Sequence, residues 1–332
     1  MNLRQLYATS VELGIALDVR GRAALERQMA AARRAYEALP EWQRPYFDQE
    51  RLRNPFGDVR IAYCPRDPAE VELDTILLGI NIGVPELLLA DRLRERGTRV
   101  DAVIAHHTHG IGVAPSLVDD FMPVAIDFLA AEGVPRDAAE RCIGAYIAEK
   151  QDALEDFHRI GPDTARLLGF PLACIHTPCD YYIGEGIRPV LRAAAPRTAA
   201  DVVQALLTVP EVQGAARAAG ALPRIMSGAP EWPVERLLLK FGGGYILPPE
   251  AYTLLGRAGV QAVVQIGCAP AHAKAAAEAG VAIVRVPHAA CDNIGINLLL
   301  DEVERRHGPL HVIPCHAFQR IRRVRGDGHT PA

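Results

Sequence analysis

The strand–helix rhythm of the last hundred residues constrains the fold most tightly. Apolar runs at 262–266, 281–286 and 311–314 alternate with helical stretches at 269–279 and 293–306. Strands this short, each followed by a helix, predict parallel strands joined by right-handed crossovers. An earlier unit repeats the pattern, with a strand at 75–82, a helix at 85–96 opened by Pro85, and a strand at 100–105. The expected class is α/β, and 332 residues, 49% of them hydrophobic, supply a sizeable core. In such sheets ligands collect beyond the carboxyl ends of the strands. The polar residues just after each strand are therefore the first candidates for function.

The remaining stretches are less regular. Residues 25–39 read as a surface helix stopped by Pro40, and 41–58 as a long connection or an arm towards a neighbouring subunit. Helices are expected at 116–131, with a kink at Pro123, and at 135–158, before Gly161-Pro162. A short strand at 172–175 follows. The Ala-rich stretch 187–220 marks a boundary between two α/β domains, one of 1–190 plus 285–332 and one of 191–284. Residues 236–247 read as two strands around a triple glycine, a hairpin rather than a phosphate loop, since no Lys-Ser/Thr pair follows. The basic run at 320–325 reads as a frayed, solvated end.

Composition narrows the partners. A net charge of −4 offers no bulk attraction for nucleic acid or an anionic membrane. The seven cysteines are scattered without a CxxC pair, which fits a reduced, cytoplasmic protein. Arg4, Glu12, Asp18 and Arg20 interrupt any leader core, and no apolar run approaches the ~20 residues of a membrane helix.

Three predicted strands end in metal-ligand residues. The strand at 100–105 delivers His106 and His107, that at 172–175 delivers His176 and then Asp180, and that at 281–286 delivers His288 and then Asp292. Each acid stands four positions after its histidine. Two divalent ions held ~3.5–4 Å apart need imidazoles as terminal ligands and carboxylates that offset the ions' repulsion. Water bound there loses a proton near neutrality and becomes a nucleophile. Singly, each residue has a plainer role: Asp292 as a helix N-cap, Asp180 as a loop brace, the histidines as core residues bonded to backbone. Convergence after separate buried strands favours the metal.

The segments AHHTHG, IHTPCD and VPHAACDN, in that order, resemble the Nif-three-like proteins, dinuclear-metal hexamers often labelled type-two GTP cyclohydrolases. The upstream ILLGINIGVPELLLADRLRERG and the later VVQIGCAPAHAKAAAEAGVAIVRV resemble the family's units too, and His272 falls at a family histidine. The likeness covers about residues 73–306. It implies two facing α/β domains with mainly parallel strands, a ring of six subunits, and His106, His107, Asp180, His288 and Asp292 as ligands of two divalent ions (zinc, iron or manganese). His176 and His272 become the catalytic candidates, as proton carriers. Three departures stand out: Asp292 replaces a usual glutamate, Thr108-His109 replaces a usual proline after the His-His pair, and Asn81 replaces a common aspartate.

The expected function is a metal-dependent hydrolase or cyclohydrolase that attacks a small, nucleotide-like substrate with metal-bound hydroxide. The alternative is a ring that binds or hands over metal or a cofactor precursor without chemistry. A purely structural metal is a third reading. A (β/α)₈ metallohydrolase, suggested by His107-Thr108-His109, ranks last because too few βα units follow.

Overall fold

The computed structural model describes residues 1–107, 124–151, 159–242 and 246–323, with backbone alone for 148–151. His109, the first half of the expected 116–131 helix, the end of the 135–158 helix, Gly243 and Gly244, and the last two residues of the basic run lie outside the described residues.

Two sheets organise the chain, and each sets one antiparallel edge strand on a parallel set. The first contains β1 (Val59–Tyr63), β2 (Thr75–Gly79), β3 (Ala102–Ala105), β4 (Leu172–Ile175) and β9 (His311–Cys315), in the order β1-β4-β3-β2-β9. The second contains β5 (Arg224–Ser227), β6 (Leu237–Lys240), β7 (Ala262–Gln265) and β8 (Ala282–Arg285), in the order β5-β8-β7-β6. Only β1 and β5 run against their neighbours. The sequences TILLG and AVIA of β2 and β3 are buried throughout, as expected of strands covered on both faces. The α/β class with mainly parallel strands is therefore what the chain forms.

Two elements go beyond the sequence reading. Helix α1 (Leu3–Leu17) opens with a capping box in which Asn2 and Gln5 bond each other's backbone N–H. It sinks Leu3, Leu6 and Leu13 into the core of the first sheet. Strand β1 follows the 41–58 connection, and its register pairs Val59 with Ile175 of β4. Helix α2 (Arg22–Ala38) is largely exposed and ends before Pro40, as the sequence indicates.

Several expectations change. Between β2 and β4 lie α3 (Val84–Glu95), α4 (Val124–Ala131), α5 (Arg136–Gln151) and α6 (Ile160–Leu168). Gly161-Pro162, before which the sequence reading ends a helix, lies in the first turn of a further helix, α6, where proline is tolerated. Leu129 of α4 and Ile143 of α5 join the apolar cluster under the second sheet, with Tyr252, Val263 and Ile283. Among the described residues no hairpin is formed at 236–247: β6 pairs in parallel with β7, Leu237 opposite Ala262, and residues 246–248 carry no strand. The basic run is docked through residue 323. Arg320 is buried against Asp301 and Glu304, and Arg323 pairs with Glu211.

The remaining helices are α7 (Thr177–Ala194), α8 (Ala199–Leu206), α9 (Pro210–Ala219), α10 (Pro249–Arg257), α11 (Pro270–Glu278) and α12 (His288–His307). Helix α12 starts at His288, five residues earlier than expected, with Pro287 as N-cap and Ala289 and Ala290 as strong helix formers in its first turn. Helices α7 and α12 cross in close contact. A Cβ on Gly295 would lie 2.2 Å from the Cys179 carbonyl oxygen, and one on Gly186 would lie 2.4 Å from Ile294 Cγ2. Hydrogen at both positions lets the two helices approach this closely.

Gly295→Ala is expected to force the helices apart and cost about 1–3 kcal/mol. Gly144→Ala, in α5 where an added methyl meets nothing within 4 Å, is expected to leave stability unchanged or raise it by about 0.5–1 kcal/mol. Urea denaturation of the two variants beside the parent chain measures the contrast.

Candidate metal centre

The imidazoles arrive from the carboxyl ends of adjacent parallel strands. His106 and His107 follow β3, where their N–H groups donate to Gly79 O (3.0 Å) and Ile80 O (2.9 Å), carrying the pairing two residues past the strand. His176 follows β4 as the N-cap of α7, and Thr177-Pro178 starts that helix. Asp180 therefore sits in the first turn of α7 instead of in a loop. His288 and Asp292 lie at i and i+4 of α12, on one helical face.

These side chains meet. His106 Nε2 lies 3.7 Å from both Asp180 Oδ1 and Asp292 Oδ1. Asp292 Oδ2 is 3.8 Å from His107 Nε2, and Asp292 Oδ1 is 3.5 Å from His288 Nε2. His176 Nε2 is 3.9 Å from Asp180 Oδ2. Such separations are too long for hydrogen bonds but suit donor pairs each ~2.0–2.2 Å from a shared cation. The side chains of His106 and Asp292 are 0% and 2% exposed, whereas His107 and His288 are 29% and 50% exposed. The cluster is thus closed at its floor and open to solvent at one rim.

Each of the three inner imidazoles is turned by an oxygen behind it. His106 Nδ1 donates to Ile175 O (3.1 Å), His107 Nδ1 to Asn81 Oδ1 (2.6 Å), and His176 Nδ1 to Asp58 Oδ2 (2.9 Å). Those oxygens are acceptors, so in each neutral ring the proton rests on Nδ1, and Nε2 is the nitrogen turned to the centre. Metal-bound histidines are held this way. Asn81, which stands where the resembling family often has aspartate, still performs the task through its carbonyl oxygen.

Electrostatics asks for a positive charge here. Burial, followed by the charges of His176 and His107, holds His106 well below the usual imidazole range. Burial also lowers His288, with His176 adding to it. Burial raises Asp292 well above the usual carboxylate range, and Asp180's charge adds to the rise. Asp180 is likewise raised by burial, against the pull of His176. His176 is pushed up to about 9: burial lowers it, but Asp180 and then Asp58 outweigh that. Among the described residues, His106 Nε2 and Asp292 Oδ1 are buried polar atoms with no hydrogen-bond partner, and they face each other. A cation between them satisfies both, so the donor set fits a divalent ion.

All five expected ligands, His106, His107, Asp180, His288 and Asp292, come together, and His176 joins them. Two overlapping donor groups result: His106, His107 and His176, and His107, His288 and Asp292. His272 makes its contacts elsewhere, in the first turn of α11, where Nδ1 accepts from Ala269 N–H (3.0 Å) and the ring packs on Tyr252. Cys179 and Cys291 flank the acids, and burial raises both thiols well above their usual range; among the described residues neither belongs to the donor groups that come together. Asp58 lies outside the sequence reading altogether. No local motif marks it, because its partner is 118 residues away.

No protein-family model and no curated protein matches the chain. Among solved structures, it is similar to a NIF3 superfamily protein from Sphaerobacter thermophilus, at 28% identity over 74% of this chain and 88% of that one, with a TM-score of 0.62. Weaker likenesses are to reduced HcgD from Methanocaldococcus jannaschii (11% identity, 78% and 89% of the two chains, TM-score 0.46) and to TTHA1606 from Thermus thermophilus (14%, 73% and 83%, 0.41). In fold the chain is similar to that NIF3 superfamily protein, in agreement with the resemblance that its His-His, His-Thr-x-x-Asp and His-x-x-x-Asp segments carry.

The charge balance predicts an unusual pH profile. Asp292, Asp180 and His176 are all raised on folding, so above their unfolded values the folded chain binds more protons than the unfolded one. His106 and His288 act in the opposite sense, but only below about 6.5, where an unfolded imidazole is charged. Between about pH 6.5 and 8, below the range where the lowered Lys240 acts in the opposite sense, the chelator-treated protein is expected to melt at falling temperatures as pH rises. Saturating Zn²⁺ should abolish or reverse that slope, because a cation takes the place of the retained protons. Thermal melts with and without Zn²⁺ across this range provide the check.

Proposed function

We propose that this protein is a metal-dependent hydrolase or cyclohydrolase that works with two divalent cations on a small, nucleotide-like substrate. The observation that carries this reading is the unpartnered, facing pair of His106 Nε2 and Asp292 Oδ1 at the floor of a cluster whose other side is open. Two overlapping donor groups around His107 support two adjacent cation positions. A divalent cation there supplies Lewis acidity and acidifies water at neutral pH. Imidazole and carboxylate donors suit zinc, iron or manganese.

The chain's own groups complete the site. His106, His107, Asp180, His288 and Asp292 hold the cations, and the exposed edges of His107 and His288 leave room for substrate. Asp180 also lines a small cavity with Lys240 and Gln265, which end β6 and β7 of the second sheet. The buried Lys240 ammonium, lowered to about 8 by burial, donates to Gly242 O and sets a positive charge near Asp180. Among the described residues no helix is long and apolar enough to cross a membrane. A cytoplasmic ring of six copies belongs to the same proposal, with the small-molecule substrate as its partner.

Metal-loaded protein assayed on panels of nucleotides, phosphoesters and cyclic amides is expected to turn over at least one class. That activity should vanish in the His106→Ala, His107→Ala double variant. Failure on every panel, with bound ions exchanging rapidly, contradicts catalysis and favours a ring that carries metal or a cofactor precursor.

A further inference from the structure

We infer that His176 is an additional cation donor of the centre, and that Asp58 is the residue that positions it. This rests on the proposed cation site and goes beyond its five ligands. The antiparallel register that sets Val59 opposite Ile175 makes residues 58 and 176 the next cross-strand pair. Asp58 Oδ2 there accepts from His176 Nδ1 (2.9 Å), Thr177 Oγ1 (2.6 Å) and Thr177 N (3.2 Å). A carboxylate can only accept, so Nδ1 keeps a proton and the other ring nitrogen, Nε2, is turned inwards, where a cation replaces any proton it carries. The carboxylate is itself held rigidly. Asp58 is 1% exposed, and the preceding turn is locked by Asn54, which donates to Val59 O (2.9 Å) and accepts from Phe56 N (2.8 Å).

The direction of Nε2 decides the role. A ring nitrogen of His176 lies within 4.8 Å of donor nitrogens on His106 and His107, and Nε2 is 3.9 Å from Asp180 Oδ2, beyond hydrogen-bond range of that oxygen; with Nδ1 held by Asp58, Nε2 is the nitrogen left for the centre. The His176 ring stands 4.8 Å from that of His106 and 5.5 Å from that of His107, so three imidazoles frame one space. The arrangement is a carboxylate–histidine–cation relay, in which loss of the outer carboxylate typically weakens metal binding by about 10–100-fold. A proton carrier needs only one hydrogen bond's reach to substrate. The inward facing of Nε2 toward two other imidazoles is better explained by coordination.

Co²⁺ titration of the metal-stripped full chain, followed by visible absorption, tests both residues. His176→Ala is expected to change the absorption bands and weaken at least one binding step by about 10–100-fold. Asp58→Asn, which retains an acceptor for Thr177, should weaken the same step by about 10-fold. Thr177→Val, which removes one bond to Asp58 and none to His176, should alter melting but not the spectrum. Wild-type bands and affinity in both His176→Ala and Asp58→Asn overturn the inference. An effect of His176→Ala alone overturns the part concerning Asp58. If the parent chain itself takes up no Co²⁺, the proposed function fails, and this inference fails with it.

Discussion

Asp180 and Asp292 are buried within reach of a single imidazole nitrogen, and that is the constraint around which the molecule is built. Burying an uncompensated carboxylate costs several kcal/mol, and two in one place repel each other as well. Protons offset this only in part, as the raised carboxyls and the raised His176 attest. A divalent cation offsets it further, and the oxygens behind His106, His107 and His176 hold Nδ1 of each ring, which turns Nε2 towards the space where the cation fits.

The fold creates that space by two separate devices. Parallel neighbours β3 and β4 put His106 and His176 side by side at the same edge of the first sheet. The α7–α12 crossing then brings Asp180 and Asp292, each in the early turns of its own helix, onto the same point. Glycine at 186 and 295 permits that crossing, and the Cys179 carbonyl that Gly295 touches is one residue from Asp180. Packing and ligand geometry are therefore one problem here. The antiparallel edge strand β1 adds its own contribution by placing Asp58 behind His176.

Much of this was legible in the sequence, and what was missed has physical causes. Ligand-type residues after apolar runs are a local signal, and in a parallel sheet the local signal is enough, because all such strand ends share one edge. That logic brings together His106, His107, His176 and Asp180; the same local signal marks His288 and Asp292, but these follow β8 of the second sheet and reach the centre in the first turns of α12. It failed for Asp58, which reaches the site across a pairing of distant strands. It also misjudged the helix starts at 177 and 288, where His-x-x-x-Asp reads equally as a loop or as a first turn. Charge patterning reads the basic end as solvated, because it cannot reveal that Asp301, Glu304 and Glu211 lie beneath it. His272 matched a family position in sequence, yet its ring is committed to Tyr252 and the start of its own helix.

The central claim is that a cation sits among these donors. Crystals grown with Zn²⁺, with diffraction recorded on both sides of the zinc absorption edge, address it most directly. The account predicts an anomalous peak enclosed by His106, Asp180 and Asp292, at bonding distance from His106 Nε2. A clean difference map at that point, with the same side chains in place, would contradict it.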